Sequence, residues 1–262
     1  MGLRPKKSLG QNFLSDENIV RKIVKVISPV DQDKIFEIGP GQGVLTKYLA
    51  DRVASYIAIE LDHALSEILK TTYSTSSHVR VIENDVLKSD WSTIFEGTGD
   101  WKVIGNIPYH LTSEIIFKAI AFRSSISELT LMVQKEVAKR IIAHPDSKDY
   151  GILAIMSQLY CDVKIHFYVS RNVFYPKPKV DSAVLQWKFL GRPRYELNDE
   201  ELFRQTIRAL FNQRRKIIRN SLKLIDVQLD MDDPAAFKRP EQLSVQEHVT
   251  LSNRIAYGRN RH

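Results

Sequence analysis

Five short apolar runs, at residues 34–38, 55–60, 78–82, 101–105 and 128–133, alternate with amphipathic stretches, and no other feature of the sequence constrains the fold as much. Each run is rich in β-branched residues and bounded by Gly, Asp or Asn, the pattern of a strand. The stretches between them, 44–51, 63–70 and 112–122, repeat apolar residues at helical spacing. A strand returning parallel to its predecessor needs a crossover, which a helix supplies. The expectation is therefore a mainly parallel sheet with helices on both faces. A further helix over 16–27, capped by Ser15, is expected ahead of the first run.

Past residue 141 the pattern changes. An apolar helix at 152–160 precedes two alternating strands, 162–169 and 182–189, which flank a proline-rich turn at 174–179 and read as a hairpin closing the sheet. Gly191-Arg192-Pro193-Arg194 joins Gly, Pro and charge, and marks a linker. Everything beyond reads as helical, at 199–210, 214–224 and 244–257, the last opened by Ser244 with Glu247 as a capping box. The expected division is an α/β domain over residues 1–190 and a small all-α domain over 191–262.

Charge follows that division. The chain carries 38 Lys+Arg against 31 Asp+Glu, and residues 188–262 account for +5 of the net +7. The positive field thus lies mostly at the C-terminal end, where it favours a polyanionic partner. A single cysteine, Cys161, excludes an internal disulfide and a cysteine-based zinc cluster, and its apolar neighbours read as a packed thiol. No uncharged apolar run approaches the ~18 residues of a membrane helix, and the basic N-terminus lacks the apolar segment of a secretory signal. A cytoplasmic protein without a membrane partner is expected.

The chemistry concentrates where strands end. The first run leads into Glu37-x-Gly39-x-Gly41-x-Gly43 and then a helix, so bare backbone is offered at a sharp turn. The dinucleotide fingerprint Gly-x-Gly-x-x-Gly is not met, because Val44 stands where its third glycine would fall. Glu60 ends the second run, where a carboxylate accepts from ribose hydroxyls, and Asp85 ends the third, placed to accept from an adenine amino group. The competing reading is a tight turn that binds nothing. Asn106-Ile107-Pro108-Tyr109 ends the fourth run, and Pro108 holds Ile107 extended. The Asn106 amide oxygen and the Ile107 carbonyl can then accept both hydrogens of an exocyclic amine on a planar base, with Tyr109 stacking on the ring. An Asx-type turn with a buried tyrosine is the alternative.

These motifs, together with Gly10-Gln11-Asn12-Phe13-Leu14 and the segment from Phe174 to Ser182, resemble the S-adenosylmethionine-dependent rRNA adenine N6-dimethyltransferases, the KsgA/Erm family, in family order over residues 8–257. The resemblance implies a Rossmann-like methyltransferase sheet, S-adenosylmethionine as cofactor and no metal. It implies that Gln11, Asn12 and Leu14 line the cofactor, that Gly39 and Gly41 approach its methionyl end, and that Glu60 holds the ribose and Asp85 the adenine. Asn106 would border the reacting methyl, with Ile107, Pro108 and Tyr109 beside it and Phe174 as the second stacking aromatic. Residues 211–222 and 239–244 resemble the KsgA branch, whose members act as monomers on two adjacent adenosines in the 3′-terminal hairpin of small-subunit rRNA. The alternatives are an Erm-type enzyme on large-subunit rRNA and a non-catalytic nucleic-acid-binding factor on the same fold.

RNA grip falls to the C-terminal region. On one helix starting near Glu200, the residues Arg204, Arg208, Arg215, Arg219 and Lys223 share about 100° of arc. Arg214 would lie on the apolar side, which places a break at Asn212-Gln213. Phosphate binding is expected along this stripe, supplemented by Arg4, Lys6 and Lys7.

Overall fold

The computed structural model describes residues 5, 6, 9–95 and 100–259. Among them the chain runs through β1 (Phe13–Leu14), α1 (Glu17–Ile27), β2 (Lys34–Ile38), α2 (Thr46–Leu49), β3 (Ser55–Glu60), α3 (His63–Thr72) and β4 (Val79–Glu83). It continues with β5 (Trp101–Asn106), α4 (Thr112–Ala121), β6 (Ile126–Gln134), α5 (Lys135–Ile141), α6 (Ile152–Tyr160), β7 (Cys161–Val169), β8 (Phe174–Tyr175) and β9 (Ser182–Phe189). Helices α7 (Glu200–Asn212), α8 (Ile218–Leu222) and α9 (Val245–Arg259) follow. Seven strands form one sheet in the order β4-β3-β2-β5-β6-β9-β7. Strands β2 to β6 pair in parallel, and β9 enters antiparallel to β6, so the later strands close the sheet as expected.

The order reverses at β2, whose neighbours are β3 on one side and β5 on the other. Open parallel sheets bind ligands at such a point. Register does the rest: Ile38 lies level with Ile59 and with Gly105, and Glu60 lies level with Glu83. Gly39, Glu60, Asp85 and Asn106 therefore all leave the sheet at one edge. Alternation along β2 fills both faces. Ile35 joins a core cluster with Val20, Ile23 and Ile27 of α1, whereas Phe36 meets Trp91 and Phe95 edge-on, with ring centroids 5.4 and 5.6 Å away.

Helix α1 starts one residue later than expected. Its cap is Asp16, whose side chain accepts from the backbone N–H groups of Asn18 and Ile19 at 2.8 and 3.2 Å, while the Ser15 hydroxyl donates instead to the Val173 carbonyl. A carboxylate there also meets the positive end of the helix dipole. The two-residue pairing of β1 with β8, Phe13 opposite Tyr175 and Leu14 opposite Phe174, is absent from the sequence reading.

Contacts divide the chain into two units, Met1–Ala138 with Asp162–Gly191, and Lys139–Cys161 with Arg192–His262. The second crossing agrees with the linker at Gly191, but the expected continuous boundary at 190/191 omits the excursion of residues 139–161. That segment packs with the helices. The Tyr150 ring lies edge-on to Phe211 at 6.4 Å, the Asp146 N–H donates to the Glu241 carbonyl, and the Arg214 guanidinium donates to the carbonyls of Lys148 and Ser147 at 2.6 and 3.0 Å. Cys161 is buried, as its neighbours indicate. Helix α7 ends at Asn212, with Gln213 outside helical geometry. Of the expected helix over 214–224, only Ile218–Leu222 is α-helical. The capping box forms as read: the Glu247 carboxylate accepts from the Ser244 backbone N–H, and the Glu247 N–H donates to the Ser244 hydroxyl.

Candidate active site

A cleft of about 280 Å³ opens at the carboxyl edge of β2, β3, β4 and β5. Its walls include Gln11, Asn12, Leu14, Gly39, Gly41, Glu60, Asp85 and the whole run from Asn106 to Tyr109. Residues from five places in the sequence thus meet in one pocket. Gly41 has φ +58°, a conformation that strains any side chain, and a β-carbon there would lie 3.2 Å from the Phe13 ring, close enough that the ring would have to give. Its N–H donates to Glu60 Oε2 at 2.9 Å, and Glu60 Oε1 accepts from the Asp62 N–H at 2.9 Å. Burial pushes the Glu60 carboxyl above its usual range, while these backbone donors hold it oriented.

Glu37, the first residue of the glycine motif, plays another part. It accepts from Thr46 Oγ1 and from the Tyr56 hydroxyl, both at 2.6 Å, and ties β2 to α2 and β3. Burial raises its pKa to about 7. Asp85 is half-buried and turns one oxygen to the Leu87 N–H at 2.8 Å.

Asn106 donates from Nδ2 to the Asn12 carbonyl at 3.2 Å. That bond assigns the amide orientation and leaves Oδ1, without a protein donor among the described residues, as an acceptor on the cleft wall. Gly105 must precede it, because a β-carbon there would sit 2.8 Å from the Ile38 carbonyl oxygen. Ile107 is buried, so only its backbone can serve a ligand. The Tyr109 hydroxyl lies 2.7 Å from Ser182 Oγ, and burial pushes this phenol up. The ring is thereby anchored at its polar end.

Phe174 departs from its expected role. It is 4% exposed, belongs to the core cluster with Leu14 and Val169, and is absent from the cleft wall. Pairing of β8 with β1 turns it inward; its neighbour Tyr175 is the exposed ring, at 68%. The cationic stripe is also recast, since Arg204 and Arg208 lie on α7 but Arg215 lies in a turn and Arg219 on α8, so no single helix carries all five. Arg204 pairs with Glu200, whereas Arg208, Arg215 and Lys223 are exposed. Lys6 pairs with Asp62; Arg4 and Lys7 lie outside the described residues. An exposed group of His63, Glu67 and Glu83 stands close enough for a cation, but the Lys70 ammonium already pairs with both carboxylates.

Four contributors were missed. Leu61 lines the cleft at 51% exposure and Val86 lines it buried, each directly following a carboxylate that the strand-end reading had found. That adjacency is the usable signal, since an aliphatic beside a ribose or base ligand supplies apolar contact. Ser182, the last residue of the motif that begins at Phe174, and Asp62 meet the site through partners distant in sequence, and nothing local marks those pairings.

A family model described as ribosomal RNA adenine dimethylase matches residues 2–250. The chain is 44% identical over 247 residues to the ribosomal RNA small subunit methyltransferase A of Chlorobium phaeobacteroides, spanning 94% of this chain and 92% of the relative. It is 41% identical over 255 residues to that of Flavobacterium johnsoniae, spanning 97% and 96%. Among solved structures, a dimethyladenosine transferase from Plasmodium falciparum shares the fold with a TM-score of 0.76 at 24% identity, over 94% of this chain and 98% of that one. The 23S rRNA methyltransferase ErmE gives 0.65 at 25% identity, over 91% and 99%. With the glycine turn, the paired strand-end carboxylates and the Asn106–Tyr109 wall all meeting in one cleft, the chain belongs to the ribosomal RNA adenine dimethylase family.

Proposed function

We propose that this protein transfers methyl groups from S-adenosylmethionine to N6 of two adjacent adenosines in the 3′-terminal hairpin of small-subunit (16S) rRNA, giving N6,N6-dimethyladenosines during ribosome assembly. The observation that carries this reading is the Asn106 amide, held by the Asn12 carbonyl so that Oδ1 is left to accept, on the same wall as the anchored Tyr109 ring. Relatives named for the small-subunit reaction reach about 40% identity over nearly the whole chain, against 25% for the large-subunit enzyme. This favours the small-subunit substrate. The intact cleft argues against a purely non-catalytic factor.

The donor set fits the cofactor: Glu60 for ribose hydroxyls, Asp85 for an adenine amino group, Leu61 and Val86 for its ring, and bare backbone at Gly39 and Gly41 for the methionyl end. When bound, the cofactor supplies a methyl group activated on a sulfonium. The remaining work belongs to the chain. Adenine N6 is a weak nucleophile because its lone pair is conjugated into the ring. Asn106 Oδ1 and the Ile107 carbonyl, accepting off the base plane, favour a more tetrahedral nitrogen and stabilise the positive charge that develops on it. The proton leaves after attack, when the nitrogen has become acidic, so no general base is needed. Extruding the base costs a few kcal/mol, and stacking on Tyr109 offsets roughly 1–3 kcal/mol of it.

Action as a monomer is part of this proposal. No helix of the described residues is long and apolar enough to cross a membrane; the proposal places the enzyme in the cytoplasm, on an assembling small subunit. Arg208, Arg215, Arg219 and Lys223, with Arg204, are assigned to the rRNA backbone, and the α/β and helical units to catalysis and RNA grip respectively. The test is methylation of purified, undermethylated small and large subunits separately, with the modified base mapped. Label confined to two adjacent adenosines near the small-subunit 3′ end is expected; label on the large subunit, or none, overturns the proposal.

A further inference from the structure

Asp62 is a buried carboxylate with no part in the chemistry above, yet it carries three donors. Its side chain accepts from the Ala64 N–H at 3.1 Å, from Lys6 Nζ at 2.9 Å and from Gln11 Nε2 at 3.2 Å. The first bond caps α3, a task that an asparagine would perform equally well. The other two reach back 56 and 51 residues to the N-terminal segment. Gln11 closes the group by accepting the Lys6 backbone N–H on Oε1 at 2.8 Å.

The next residue, Asn12, offers the carbonyl that receives Asn106 Nδ2. The N–H of Asp62 meanwhile donates to Glu60 Oε1. A chain of contacts thus runs from the carboxylate assigned to the ribose, through Asp62 and Gln11, to the amide assigned to the base. We infer that Asp62 is a positioning residue for Asn106: by anchoring Lys6 and Gln11 it holds the Asn12 carbonyl where it orients the Asn106 amide, with Oδ1 toward the target amine. The inference rests on the role given to Asn106 above. Its physical basis is that an acceptor displaced by about 1 Å from the reacting atoms can lose on the order of 10²-fold in rate, and a free N-terminal segment would allow that displacement.

A double-mutant cycle of Asp62→Ala and Asn106→Ala, read as methyl transfer to undermethylated small subunits with kcat and KM separated, tests it. Asp62→Ala should lower kcat about tenfold with KM for the subunit unchanged, and should lower it no further once Asn106 is already Ala. Asp62→Asn keeps Oδ1 for the α3 cap but turns an NH2 group toward Gln11 Nε2, so the cap survives while the anchor is lost and kcat should stay lowered; full recovery would assign the effect to the cap and overturn the inference. Multiplicative losses, an unchanged kcat in Asp62→Ala, or a loss confined to KM would overturn the inference while leaving the role of Asn106 intact. Normal turnover in Asn106→Ala alone would remove both. If Asp62→Ala does not fold, Asp62→Asn and Lys6→Met replace it: each should lower kcat by the same small factor, and together by no more than either alone, whereas additive losses would count against the shared anchor.

Discussion

Charge is handled differently in the two units. At the sheet edge Glu60 and Asp62 are 6% and 4% exposed, and each has its oxygens directed by backbone N–H groups or a side-chain amide. In the helical unit Arg208, Arg215 and Lys223 stand in solvent, whereas Arg214 gives its donors to the carbonyls of Lys148 and Ser147 and pairs with Glu241 at 3.6 Å. A small ligand must be met by groups already oriented, because reorganising them during reaction raises the barrier. A phosphate backbone is met by mobile cations whose contribution scales with their number and with salt. On the proposed function, the buried, oriented charge is the part assigned to chemistry and the exposed charge the part assigned to the grip.

The comparison breaks first at Asn106. Its replacement by Ala should lower turnover by on the order of 10²-fold or more, with RNA affinity held; near-normal turnover would mean the oriented amide has no part in catalysis.

His248 comes next, in the helical unit. Its Nε2 lies 3.1 Å from the Pro240 carbonyl, and burial lowers its pKa from 6.5 to about 4. The unfolded chain takes up this proton near pH 6.5 and the folded chain only near 4, so the contribution is complete above 6.5 and is lost as pH falls toward 4. That loss is on the order of 3 kcal/mol. Urea unfolding across that window should reveal it, and His248→Gln should flatten the slope; a wild-type midpoint that does not move between pH 7 and 4.5 would contradict the buried neutral imidazole.

The two kinds of arginine separate at smaller scale. Arg214→Ala should destabilise the helical unit by about 1 kcal/mol, since it removes two charge-assisted hydrogen bonds to carbonyls and the ion pair with Glu241, and should leave the salt dependence of RNA binding unchanged. Replacing Arg215 and Arg219 with Gln should do the reverse: stability within about 0.5 kcal/mol, and a log–log salt slope shallower by roughly 1 per residue. Equal salt slopes in the double variant and the wild type would place that surface in water only, and cofactor affinity should be the same in all of these arginine variants.

The features legible along the chain were local. Strand ends, the glycine turn, the carboxylates at Glu60 and Asp85, the wall at Asn106–Tyr109 and the Ser244–Glu247 cap were all legible, because periodicity and turn chemistry act between residues a few positions apart. Even the break before Arg214 followed from the helical period. Tertiary structure decided the rest. The pairing of β1 with β8, the inward turn of Phe174, the docking of residues 139–161 on the helices, and the partners of Asp62 and Ser182 depend on contacts dozens of residues apart. A buried polar group must be satisfied by whichever donor the fold brings to it, and neither local propensity nor hydrophobic period carries that information.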